Sequence, residues 1–95
     1  MADIVVTRIG ETDEAFTFEV RVTEAGDTTR HVVTVRRADS DATGDRYSEP
    51  EELVRLAFHF LLEREPKESI LARFDLRDIS TYFPDFDREL LRPGS

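Results

Sequence analysis

The residues whose type and spacing could do chemistry are few: the histidines His31 and His59, and two close aspartate pairs, Asp75 with Asp78 and Asp85 with Asp87. An imidazole can hold a transition metal or move a proton near neutral pH, and paired carboxylates can share acid and base work or hold a hard cation. Neither histidine has a second histidine or a cysteine at ligand spacing, so a metal site would have to be gathered from distant carboxylates. His59 falls on a polar helix stripe with Glu52, Arg55 and Glu63, and His31 at the end of a strand, at the margin of a core. Helix capping explains Asp75 with Asp78 and part of the second pair. There is no calcium-binding loop, no glycine-rich phosphate loop and no nucleophile motif. No catalytic, cofactor-binding or metal-binding residue is assigned, and no cofactor is expected.

Charge narrows the partners. The chain carries 21 acidic against 13 basic side chains, a formal net charge of −8, and Lys67 is its one lysine. A field of that sign repels nucleic acid and anionic lipid, which are held mainly by Lys and Arg. Arg30, Arg36 and Arg37 would have to carry any nucleic-acid contact, and the segment from Pro66 to Arg92, with five basic and six acidic residues, adds no positive face. The absence of cysteine removes disulfides and thiolate chemistry. No apolar run approaches the roughly 20 residues of a membrane span, and MADIVVTRIG lacks the pattern of a signal peptide. The expectation is a cytoplasmic protein without a membrane partner.

The elements that must position these residues follow from periodicity. In AFTFEVRVTE, residues 15–24, Phe16, Phe18, Val20 and Val22 alternate with polar residues, and His31, Val33 and Val35 repeat that parity in a strand over 28–37. Glu24-Ala25-Gly26-Asp27 predicts a hairpin between them, and a loop of two or four residues puts both apolar sets on one face. A first strand over 3–9 is apolar at both parities. Residues 38–47 are polar and glycine-containing, which predicts a mobile connector.

Ser48-Glu49-Pro50-Glu51 has the pattern of a helix start, with Ser48 as cap, and Pro66 stops that helix, giving 49–65. Its apolar residues Leu53, Val54, Leu56, Ala57, Phe58, Phe60, Leu61 and Leu62 cover far more than the stripe of about 100° that a surface helix needs. Burial on two sides is expected. Shorter helices over 67–74, 76–83 and 85–91 follow, and 93–95 should fray. The fold class is α+β: one domain over 1–92, with a three-stranded antiparallel meander, one long buried helix and two or three short C-terminal helices.

Residues 58–86, FHFLLEREPKESILARFDLRDISTYFPDF, resemble a small bacterial protein family that ends in a REP-x-x-SIL-x-x-FDL-x-x-I-x-x-YFP segment. The resemblance implies a self-standing domain and carries over no catalytic or binding residue. The order of strands, loop and helix is also similar to the end of a double-stranded-RNA-binding domain, but the helix opens on Ser48-Glu49-Pro50-Glu51-Glu52, the wrong charge for phosphate. The leading reading is a small protein-interaction or regulatory module; the alternatives are a nucleic-acid-associated protein and, second, a small-ligand-binding or enzymatic role in a pocket between the sheet and the C-terminal helices. The module's candidate surface is Tyr82, Phe83 and Phe86 around Pro84, with Phe58 and Leu62 of the long helix, facing another protein or a second copy of the chain.

Overall fold

The computed structural model describes residues 2–93, so the last two residues of the tail expected to fray lie outside the described residues. Alternation organises the first third of the chain. Strands β1 (Asp3–Glu11), β2 (Ala15–Glu24) and β3 (Asp27–Arg36) pair in antiparallel order. Phe16 lies opposite Val35, Phe18 opposite Val33 and Val20 opposite His31, all buried on one face. The β2–β3 loop has two residues, Ala25 at φ 55° and Gly26 at φ 80°. Positive φ at both positions matches the right-handed twist of a tight hairpin, and glycine supplies it freely where alanine is strained. Ala25→Asn, which creates the favoured Asn-Gly turn, is therefore expected to raise stability by about 0.5 kcal/mol. A urea midpoint that falls instead would show that Ala25 contributes something its backbone does not reveal.

In β1 the inward residues are Ile4, Val6 and Arg8, opposite Val22, Val20 and Phe18. Val5 and Ile9 are each 55% exposed. The register shifts between Arg8 and Gly10, which leaves Ile9 as the extra residue of a bulge. Apolar residues at both parities thus belong to an edge strand with one wet face. Arg8 closes the core at this end. Its guanidinium stacks 4.8 Å from the Phe16 ring centre and bonds both carboxylate oxygens of Glu51, at 2.7 and 3.0 Å. This pairing holds the Glu51 carboxyl below its ordinary range, and Arg37, assisted by Arg8, does the same for Glu11.

Helix α1 (Arg37–Asp41) and the turns after it replace the connector expected to be mobile. Its side chains are tied down by contacts distant in sequence. The buried carboxylate of Asp39 accepts two bonds from Arg77, at 2.7 and 2.9 Å, and the Tyr47 hydroxyl donates to Leu90 O at 2.9 Å. Thr43, also buried, donates to Ser40 O.

Helix α2 (Pro50–Leu62) is the spine, ending three residues before the predicted limit. Arg64 N and Glu65 N both turn back to Leu61 O, so the chain unwinds ahead of Pro66. Ser48 is not its cap: Glu49 holds that position without a side-chain cap bond, and the Ser48 hydroxyl donates to Glu52 at 3.0 Å. Glu49, Glu51 and Glu52 still put carboxylates at the positive helix end. Two sides of α2 are buried. Phe58 packs against His31 and Phe74 on the sheet side, with ring centres 5.3 and 6.0 Å away, and Phe60 meets Phe86 and Phe83 edge-on at 5.2 and 6.0 Å.

The largest departure from the sequence reading is at 67–74, which is not helical. One 3₁₀ turn (Lys67–Ser69) leads into extended chain and a short strand, β4 (Arg73–Asp75), parallel to β3. The sheet is therefore four-stranded and mixed, in the order β1-β2-β3-β4, rather than a three-stranded antiparallel meander. An eight-residue helix is marginal alone, whereas the edge of β3 offers unpaired backbone groups that must find partners if they are covered. Val32 N donates to Ala72 O at 2.8 Å, and Val33 pairs with Phe74.

A second 3₁₀ turn (Leu76–Asp78) runs into α3 (Ile79–Tyr82), and α4 (Asp85–Leu90) follows, so the helices predicted over 76–83 and 85–91 are present in shorter form. Asp75 caps the second turn as expected. It accepts from Arg77 N at 3.0 Å while Asp78 accepts from Asp75 N at 3.1 Å.

Candidate functional site

A groove of about 360 Å³ opens where the end of α2, the extended segment before β4, and α3 meet. Its lining is mainly apolar: Leu61 from α2, Ile70 and Leu71 from the extended segment, Phe74 from β4, and Ile79, Tyr82 and Phe83 from α3 and its end. Leu61, Ile70, Phe74 and Ile79 are buried and belong to the hydrophobic core. Leu71 and Tyr82 are large side chains left 53% and 67% exposed. Exposed apolar residues scattered singly need no explanation, but two of them lining one concavity over an apolar base make a place where another apolar group could be desolvated.

Local structure explains why these side chains gather. In extended chain successive residues point to opposite sides, so Ile70 enters the core while Leu71 faces out. Hydrogen bonding holds that segment in place. His31 Nδ1 lies 2.8 Å from Leu71 O and its Nε2 lies 2.9 Å from Thr29 Oγ1. A carbonyl only accepts, so the Nδ1 proton is donated to Leu71 O. Lys67 is buried, with its ammonium reaching Glu68 and, at 3.5 Å, Asp27 at the hairpin; the Glu68 bond holds the Lys67 pKa above its ordinary value. The wall of the groove is thus fastened to β3 from two directions.

The five residues expected to form an interaction surface divide. Tyr82 and the half-buried Phe83 line the groove. Phe58 and Phe86 do not, because both are fully buried: Phe58 between α2 and the sheet, Phe86 under Phe60. They close the core and offer no surface. Leu62 is half-buried against the core and does not line the groove. The sequence reading missed Leu71, Ile70 and Phe74 as groove residues because it made the segment helical; the signal that could have found them is the alternation of Ile70, Ala72, Phe74 and Leu76 with Leu71, Arg73 and Asp75.

The other candidates are placed as follows. His31 is deeper than a core margin, 2% exposed, and serves as the hydrogen-bonding bolt just described. His59 is exposed on α2. Among the described residues, no three histidine or acidic side chains come together as a metal-holding group. Asp85 pairs with Arg88, and Asp87 with Arg77 and Arg92. Of the three arginines that a nucleic acid would need, Arg36 is bound to Asp75 and Arg37 to Glu11. Arg30 stands opposite Arg21 on the outer face of the sheet. No helix among the described residues is long and apolar enough to cross a membrane.

Fold and groove together define the chain as an α+β domain whose mixed sheet is backed by one long helix and whose groove between α2, β4 and α3 is mainly apolar. No family model, curated protein or solved structure matches it.

Proposed function

We propose that the protein is an interaction module that receives an apolar segment of another polypeptide in the groove between α2, β4 and α3. The observation that carries this reading is the exposure of Leu71 and Tyr82 in a concavity whose base is made by the buried Leu61, Ile70, Phe74 and Ile79. Burying two such side chains against a partner gains roughly 1.5–3 kcal/mol for each one fully desolvated, a contribution that a solvent-facing surface forgoes. Rigid support favours binding over mere exposure, because the wall is held by His31 and Lys67 and little has to be ordered on association. A phosphate-binding role has no comparable support, since no cationic side chain lines the groove.

The reading is tested by selecting peptides from a random display library on the folded protein and measuring their affinity for wild type and for a Leu71→Ser/Tyr82→Ser double variant. Both positions are largely exposed, so the variant should melt within a few degrees of wild type. Selected peptides should carry apolar anchors and lose roughly tenfold or more in affinity on the variant. Peptides that bind both proteins equally would place the interaction elsewhere and remove the groove from consideration.

A further inference from the structure

Only two of the ten groove-lining residues are charged, and both are acids: Glu65 at the end of the α2 turn and Asp78 in the 3₁₀ turn before α3. Each is preceded in sequence by an arginine that could neutralise it, and in both cases that arginine is engaged elsewhere. Arg64 stacks 3.5 Å from the Phe60 ring centre, donates to Phe60 O and faces Glu89. Arg77 is held by Asp39 and faces Asp87. Among the described residues neither Glu65 nor Asp78 forms an ion pair, and the Asp78 carboxylate accepts the Asp75 N–H. The groove thus keeps its negative charge in a chain whose net charge is already −8.

Resting on the interaction reading above, we propose that the segment received by the groove is basic and amphipathic: apolar side chains for the pocket, with Lys or Arg beside them to meet Glu65 and Asp78. The apolar anchors supply burial. The flanking cations supply orientation and discrimination, because an acidic flank would set like charges together in a site that already repels them. Long Lys and Arg stems also cover apolar surface while their heads reach the carboxylates, which suits a groove with acids beside an apolar base.

The test takes the best display-selected peptide and makes three forms of it, identical in their apolar residues and carrying Lys, Gln or Glu at the flanking positions. Affinities are measured by fluorescence anisotropy for wild type, for Glu65→Gln/Asp78→Asn, and for Glu49→Gln/Asp41→Asn, which removes the same charge outside the groove. The asparagine oxygen at position 78 still accepts the Asp75 N–H, so the cap is kept. The expected order is Lys, then Gln, then Glu. The Lys form should lose about fivefold on Glu65→Gln/Asp78→Asn, as two partly exposed ion pairs would contribute, and change less than about twofold on the control variant. Equal binding of the three forms, or an equal loss on the two variants, overturns the proposal while the groove remains a docking site. If binding of all three forms survives Leu71→Ser/Tyr82→Ser, or if no peptide is selected at all, the docking reading falls and this proposal with it.

Discussion

Replacing Phe58 with alanine is expected to lower the unfolding free energy by about 3–5 kcal/mol, the largest loss predicted for a single side chain in this domain. The ring is fully buried, and from the middle of α2 it packs on two neighbouring strands at once, on His31 of β3 and Phe74 of β4. A void left there cannot be filled from one side alone, since the helix is fixed to β1 by the Arg8–Glu51 bonds and to α4 through Phe60 and Phe86. Incomplete relaxation is what makes a cavity expensive. Domains of this size are stable by only about 5–15 kcal/mol, so the variant should sit near the edge of folding. Chemical denaturation gives the answer directly: a loss below about 1 kcal/mol would mean that α2 is not held on the sheet through Phe58 as described.

His31→Ala is expected to be nearly as damaging, at about 3 kcal/mol, for a different reason. The imidazole fills core volume beside Phe58 and also fastens the extended segment to β3, through Leu71 O on one side and Thr29 on the other. His31→Phe separates the two contributions. It keeps a ring against Phe58 but leaves the Leu71 carbonyl without its donor, and should cost about 1–2 kcal/mol. In both variants the amide of Val32, which donates to Ala72 O, should exchange with solvent faster than in wild type, because the β3–β4 junction opens more readily. Peptide binding in the groove should weaken alongside. A His31→Phe protein as stable as wild type, with Val32 still protected, would show that packing alone holds the segment.

The hairpin was legible because strict alternation from Phe16 to Val22 and from His31 to Val35, joined by Ala25-Gly26, leaves one register that buries a single face. Helix α2 was legible from Pro50 at its start and from an apolar arc too wide for a surface helix, and Asp75 from its capping position. Residues 38–47 were misjudged because their polarity concealed Asp39 and Tyr47, whose partners Arg77 and Leu90 lie 38 and 43 positions further on.

The segment 67–74 shows the limit most clearly. Ile70, Leu71 and Phe74 suit a helical spacing, while Ile70, Ala72, Phe74 and Leu76 suit an extended one, and local propensity separates the two by little in so short a stretch. Four of the ten residues that line the groove, Ser69, Ile70, Leu71 and Phe74, lie in that stretch. Which aromatic side chains face water also lay beyond the sequence, because the exposure of Tyr82 and Phe86 is set by what stands beside them in space: the open groove for Tyr82, and Phe60 for Phe86.

By itself, then, the amino-acid order determined the paired strands, the buried helix and the acidic surface, since each depends on periodicity and charge within one local stretch. The fourth strand, the groove and its unpaired carboxylates were decided only in three dimensions. There the backbone groups of β3, the proton on His31 Nδ1 and the commitments of Arg64 and Arg77 select among conformations that are nearly equal in energy for the isolated segment.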